Sequence, residues 1–134
     1  MFCRIRDGEI PAQIVLDEPD VLAFLDARPV FPGHTLVIPR EHHDTLPDLP
    51  ADLLPALFEA VQRVSVAVPG AMKADGTFVA INNVVSQSVP HVHVHVVPRV
   101  RKDGLRGFFW PRQKYESDDA MAAVAQAIRE ALVV

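Results

Sequence analysis

A chain of 134 residues and 14.8 kDa is long enough to bury a proper hydrophobic core, and its 49% hydrophobic content excludes a disordered chain. A formal net charge of −4 excludes an electrostatic binder of duplex nucleic acid but leaves room for a small phosphate-bearing ligand at a local site. The single cysteine, Cys3, excludes an internal disulfide framework, and neither a signal peptide nor a bilayer-length apolar run is seen, so a soluble cytoplasmic protein is expected.

In chain order, "AQIVLDE" (12–18) and "VLAFLDARPV" (21–30) read as two strands separated by a turn-like Glu-Pro-Asp. "PGHTLVIPR" (32–40) reads as a third, opened by Pro32-Gly33 and closed by Pro39. The stretch 48–68 carries Leu54, Leu57, Phe58, Val61, Val64 and Val68 at helical spacing, with Pro50 or Pro55 suited to the first turn. "GTFVAINN" (76–83) and "HVHVHVVPR" (91–99) are predicted as the fourth and fifth strands. The tail 117–132 is predicted as a helix with Ser117 as N-cap, Asp118 and Asp119 in its first turn, and Met121, Val124, Ile128 and Leu132 on one face. Short connections favour antiparallel pairing with helices packed on the sheet, an α+β architecture. No repeat, linker or low-complexity tract interrupts the chain, so one domain over 1–134 is expected.

The row His91, His93, His95 is the feature that needs a reason. Alternation along a strand puts the three imidazoles on one face, roughly 7 Å apart, and Val92, Val94 and Val96 on the other, against the core. A polar strand face that happens to be rich in histidine is one explanation. A metal site is another, since imidazole binds zinc, copper and iron, but no HExxH or cysteine pair completes a ligand set. The third is nucleophilic catalysis, in which one imidazole attacks while its neighbours set its tautomer and stabilise charge. Ser86, Gln87 and Ser88, just upstream, offer donors suited to an anionic phosphoryl group and favour this third explanation.

"QSVPHVHVHVVPR" resembles the His-φ-His-φ-His-φ-φ signature of the histidine triad (HIT) superfamily of nucleotide hydrolases and transferases, and "PGHTLVIP" with its surroundings resembles that family's N-terminal half. The closer likeness is to the histidine triad nucleotide-binding branch. The resemblance implies a five-stranded antiparallel sheet, with a long helix between strands 3 and 4 and a C-terminal helix. It implies that His93 attacks the α-phosphorus of a nucleoside 5′-phosphoramidate, dinucleoside polyphosphate or related mixed anhydride and forms a covalent nucleotidyl-histidine. His91 would orient it, His95 would lie near the phosphate and leaving group, and His34 would support the triad. Asp26 would hold the ribose hydroxyls, and Asn82, Ser86, Gln87 and Ser88 the phosphate. Each also has a purely structural alternative: Asp26 a turn carboxylate, His34 a satisfied core histidine, Asn82 a strand-end cap.

The implied partners are an AMP- or GMP-containing nucleotide and a second copy of the chain; Phe108, Phe109 and Trp110 would suit the partner surface or, alternatively, cap this chain's own core. No organic cofactor is implied. Many bacterial relatives bind zinc through Cys-x-x-Cys, a histidine like His42 and the first triad histidine. Here only Cys3 is present and the first cysteine would fall before Met1, so no zinc is expected, and His42 and His43 are expected to face solvent or cap. The phosphate loop also departs from the family, with Val84 and Val85 where glycines are usual. A nucleotide-binding or sensing protein with little turnover is the alternative function.

Overall fold

In the computed structural model, which describes residues 1–105 and 111–132, the turn Glu18–Asp20 joins β1 (Ile14–Asp17) to β2 (Val21–Leu25). Arg40 braces that turn: its Nε donates to the Glu18 carbonyl at 2.6 Å and its backbone N–H to that of Asp20. β2 stops at Leu25, earlier than the sequence pattern suggests, because the Asp26 carboxylate accepts the Arg28 N–H at 2.9 Å and turns the chain. β3 (Thr35–Pro39) returns antiparallel to β2, with Val21 opposite Pro39 and Leu25 opposite Thr35.

Two short 3₁₀ turns, Leu46–Asp48 just before the predicted long helix and Ala51–Leu53 within its first part, precede the observed one. The helix itself runs Leu54–Met72, with Pro55 in its first turn. It continues past Val68 through Pro69, which forfeits one intrahelical bond; Lys73, in a left-handed conformation at φ 54°, ends it. Since this helix crosses over, β4 (Gly76–Ala80) joins on the far side of β5 (Val94–Arg99). The five-stranded sheet has the order β1-β2-β3-β5-β4, with every pairing antiparallel.

Both faces of this sheet are apolar. On one, Leu57, Ala60, Val61, Val64 and Val68 of the long helix bury against Val21, Ala23, Val37, Val92, Val94 and Val96. Phe58, expected on that stripe, is instead exposed. The other face carries Leu22, Phe24, Leu36 and Ile38, covered by a short N-terminal helix, Phe2–Arg6, whose Phe2 is buried with its ring 5.4 Å from that of Phe24. Burying one such side chain contributes roughly 1.5–3 kcal/mol, enough to hold a five-residue helix that could not persist alone. The helices are numbered α1 (Phe2–Arg6), α2 (Leu54–Met72) and α3 (Asp118–Ala131).

The described chain divides into two units, Met1–Asp103 and Gly104–Val134. In the second, α3 is capped as its sequence predicts, the Ser117 hydroxyl accepting the Ala120 N–H at 3.0 Å. Phe108, Phe109 and Trp110 lie outside the described residues. Among the described residues, no helix is long and apolar enough to cross a membrane.

Candidate active site

The histidine row straddles the start of β5 and does not lie wholly within it. The β3–β5 ladder covers Thr35 to Val37 opposite Val96 to Val94, then ends where Pro39 offers no N–H. The Pro39 carbonyl is taken by the His91 ring, whose Nε2–H donates to it at 2.9 Å, and the Val92 N–H goes instead to the His43 carbonyl at 2.7 Å. The predicted alternation survives this: the valines face α2, and the histidines share the side of the Phe2–Phe24 cluster. That side is not a solvated face, since His91 and His93 are both buried.

The His93 Nδ1–H donates to the carbonyl of His91 at 2.7 Å. With that proton committed, Nε2 holds the lone pair. The Phe2 and His93 rings pack in a T shape with centroids 4.9 Å apart and planes at 88°, which restrains the rotation of His93. His95 is tied differently. The Val30 backbone N–H donates to His34 Nδ1 at 3.1 Å, and His34 Nε2 lies 2.9 Å from His95 Nδ1. Burial pushes His34 below the usual imidazole range, opposed by the nearby Asp26 carboxylate, whose Oδ2 is 3.8 Å away. Burial, with His93 and His34 beside it, pushes His95 down to about 4. Both rings are therefore neutral at pH 7. Although Asp26, His34 and His95 lie close enough to surround an ion, both nitrogens of His34 are already spent, which argues against a metal there.

Asn82 follows β4 half-buried, while Ser86 and Ser88 are exposed; their side chains have no hydrogen-bond partner among the described residues. Gln87, grouped with these donors from its sequence position, is engaged within the protein. Its Oε1 accepts the Val84 N–H at 2.9 Å and its Nε2 donates to the Asp44 carbonyl, so it braces the loop. Asn83, which the sequence pattern did not single out, accepts the Leu46 N–H at 2.8 Å. Val84 (φ 71°) and Ser86 (φ 63°) adopt the left-handed conformation without glycine. The loop thus keeps a glycine-type path at a cost in strain.

His42 is exposed, as expected, and its ring is also held in place. Its Nε2–H donates to Asp44 at 2.8 Å, leaving its Nδ1 lone pair 3.1 Å from Cys3 Sγ. The His91 Nδ1 lone pair lies 3.6 Å from the same sulfur. One thiol and two imidazoles, each ring oriented through its other nitrogen, therefore converge within 4.8 Å. His43 contributes its carbonyl to Val92, and its ring nitrogen lies 3.2 Å from Glu41. Nothing in the sequence periodicity marks Phe2, Val30, Pro39 or Asp44 as belonging to this region.

A sequence model of the HIT domain matches residues 7–102. The chain is 39% identical over 135 residues to an uncharacterised HIT-like protein of Saccharolobus solfataricus, covering 98% of this chain and 96% of the relative. It is 36% identical over 121 residues to the adenosine 5′-monophosphoramidase of Saccharomyces cerevisiae, covering 88% and 73%. A crystal structure of a member of the HIT family from Bacillus subtilis superposes with a TM-score of 0.91 at 31% identity, covering 100% of this chain and 97% of that one.

Proposed function

The chain belongs to the HIT domain family, and from that premise we propose that it is a nucleotide hydrolase or nucleotidyl transferase acting at the α-phosphorus of a nucleoside 5′-phosphoramidate, dinucleoside polyphosphate or related mixed anhydride. One observation carries this reading: the 2.7 Å bond from His93 Nδ1–H to the His91 carbonyl, which leaves the Nε2 lone pair as the nucleophile. Its lone pair forms the Nε2–phosphorus bond while the bond to the leaving group breaks with its electron pair, and water protonates the departing atom. The His91 carbonyl dipole offsets the positive charge that develops on the His93 ring. Water then attacks phosphorus and gives its proton to the hydroxide left by the first step, the electron pair of the phosphorus–nitrogen bond returns to Nε2, and a nucleoside monophosphate is released. Asp26 has lone pairs to spare beyond its bond to Arg28 and is assigned to the ribose hydroxyls. Asn82, Ser86 and Ser88 are assigned to the phosphate, with Gln87 holding their loop.

Cys3, His42 and His91 would hold a zinc ion through three protein donors, and their preset rings fit that metal. This revises the expectation drawn from counting ligands to four. Zinc there would tie α1 to the sheet, and no step of the chemistry needs it. We assign a homodimer paired through β4, the last strand in the sheet order among the described residues, whose Val79 is exposed. Light scattering at micromolar concentration tests it, and a monomer would overturn it. The reading as a whole is tested by intact-protein mass spectrometry after mixing with adenosine 5′-phosphoramidate. An adenylyl adduct on the wild type, absent from His93→Ala, is expected; hydrolysis with no adduct under any quench would overturn the covalent route.

A further inference from the structure

Resting on that reading, we propose that the backbone N–H of Val30 sets the tautomer of His95 by way of His34, so that His95 meets the substrate as a hydrogen-bond donor at Nε2. The inference follows proton by proton. An N–H pointing at His34 Nδ1 from 3.1 Å requires a lone pair there. A neutral His34 then carries its proton on Nε2 and gives it to the 2.9 Å contact with His95 Nδ1. His95 accepts at Nδ1, so its own proton sits on Nε2, the nitrogen not used inside the protein. Reversing the chain would set a His34 Nδ1–H against the Val30 N–H and leave two donors facing each other with neither satisfied.

The turn that delivers this N–H is closed at several points. Asp26 accepts the Arg28 N–H at 2.9 Å, the Asp26 N–H reaches the His34 carbonyl at 2.9 Å, and the His34 N–H reaches the Phe31 carbonyl at 3.0 Å. Residues 26–34 thus form a clamp around one imidazole nitrogen. The consequence is a division of labour between rings with centroids 4.9 Å apart. His93 is protonated on Nδ1 and presents a lone pair; His95 is protonated on Nε2 and presents an N–H. The first suits attack on phosphorus. The second suits a developing negative charge on a phosphoryl oxygen or the leaving atom, with no proton transferred by His95. Val30 is accordingly a positioning residue that acts through its main chain. Its side chain is half exposed, 51%, and the inference assigns it no part.

Long-range ¹H–¹⁵N correlation spectra of labelled wild-type protein at pH 7 read the tautomers directly. Nε2 of His34 and His95 is expected to be pyrrole-like and Nδ1 pyridine-like, with the opposite pattern for His93. A His95 protonated on Nδ1, or averaging between both forms, overturns the inference even if the adenylyl adduct forms; the stated tautomers without any adduct overturn the proposed function alone. Val30→Pro deletes the N–H, while also fixing φ and constraining Pro29 before it. In that variant His95 should show mixed tautomers, and kcat should fall roughly tenfold while KM changes little, the loss matching one oriented hydrogen bond. Val30→Ala retains the N–H and should retain the wild-type tautomers. If Val30→Pro does not fold, the wild-type spectrum still decides.

Discussion

His93 and His95 stand with ring centroids 4.9 Å apart and planes at 64°, yet one is anchored by a main-chain carbonyl and the other by a second imidazole. Two neighbouring rings in one strand register therefore have different protons committed, and different chemistry available. The His91 carbonyl does this for His93 because β3 has run out at Pro39 and no ladder partner competes for it.

Replacing the nucleophile should separate chemistry from binding. His93→Ala is expected to abolish turnover of adenosine 5′-phosphoramidate while nucleotide affinity stays within about tenfold, because covalent chemistry is lost but most contacts remain. His93→Gly should recover activity with added imidazole. Substantial residual turnover in His93→Ala without rescue agents would remove His93 from the nucleophile's role.

Stability should fall in mild acid. His34 and His95 have folded-state values depressed below 6.5, His95 to about 4. Between the depressed value and 6.5 the unfolded chain binds more protons than the folded one, so unfolding free energy rises with pH across that window. The contribution is fully present above 6.5 and is lost as pH falls toward about 4. Calorimetry at pH 7 and pH 5 should show a lower Tm at pH 5. His95→Gln, neutral at both, should shrink that difference, and an unchanged difference would show that His95 is not the group responsible.

Much of this fold was legible because period-2 and period-3.6 patterns are generated by burial itself: the valines of 91–99 and the α2 stripe faced where they should. The misses have a common cause. Phe2 lies in a five-residue helix, too short to display a period. Phe58 sits at a helical spacing that cannot tell the edge of a buried stripe from its centre. In the site, histidines could be read as reactive groups because their spacing is informative. The loop-bracing contacts of Gln87 are not legible, because a side-chain amide serves a ligand or a loop equally well and only the positions of Val84 N and Asp44 O reveal the second use. Val30 was invisible, since a backbone N–H has no letter.

Zinc titrated into metal-free protein should raise Tm, since an ion bound only by the folded state stabilises it by mass action. Cys3→Ser should abolish most of the rise, because the thiol is the donor that both imidazoles face. No rise in the wild type would show that three donors do not suffice here.

Val84→Gly should be tolerated or stabilising. A β-branched residue at φ 71° costs about 1–2 kcal/mol relative to glycine, partly returned by the entropy that glycine adds to the unfolded chain. The side chain is 75% exposed, so little packing is lost. Thermal denaturation checks this: a Tm lowered by several degrees would mean that the valine makes a contact worth more than its strain.

The last prediction concerns the sugar. Asp26 ends β2's apolar run, is partly exposed, and keeps Oδ2 3.8 Å from His34 while Oδ1 accepts from Arg28. A carboxylate has about four acceptor sites, so two ribose hydroxyls remain compatible with both neighbours. A hydrogen bond to a charged group contributes roughly 1.5–3 kcal/mol, and removing the 2′-hydroxyl should lower kcat/KM by about ten- to a hundredfold. In Asp26→Ala that discrimination should largely vanish. The variant will also loosen the 26–34 turn, so its absolute activity is a poor readout; the ratio between ribo- and deoxyribo-substrates cancels that loss, because both substrates meet the same damaged turn. A wild-type ratio near one, or a ratio unchanged by the mutation, would leave Asp26 as the carboxylate of a turn and no more.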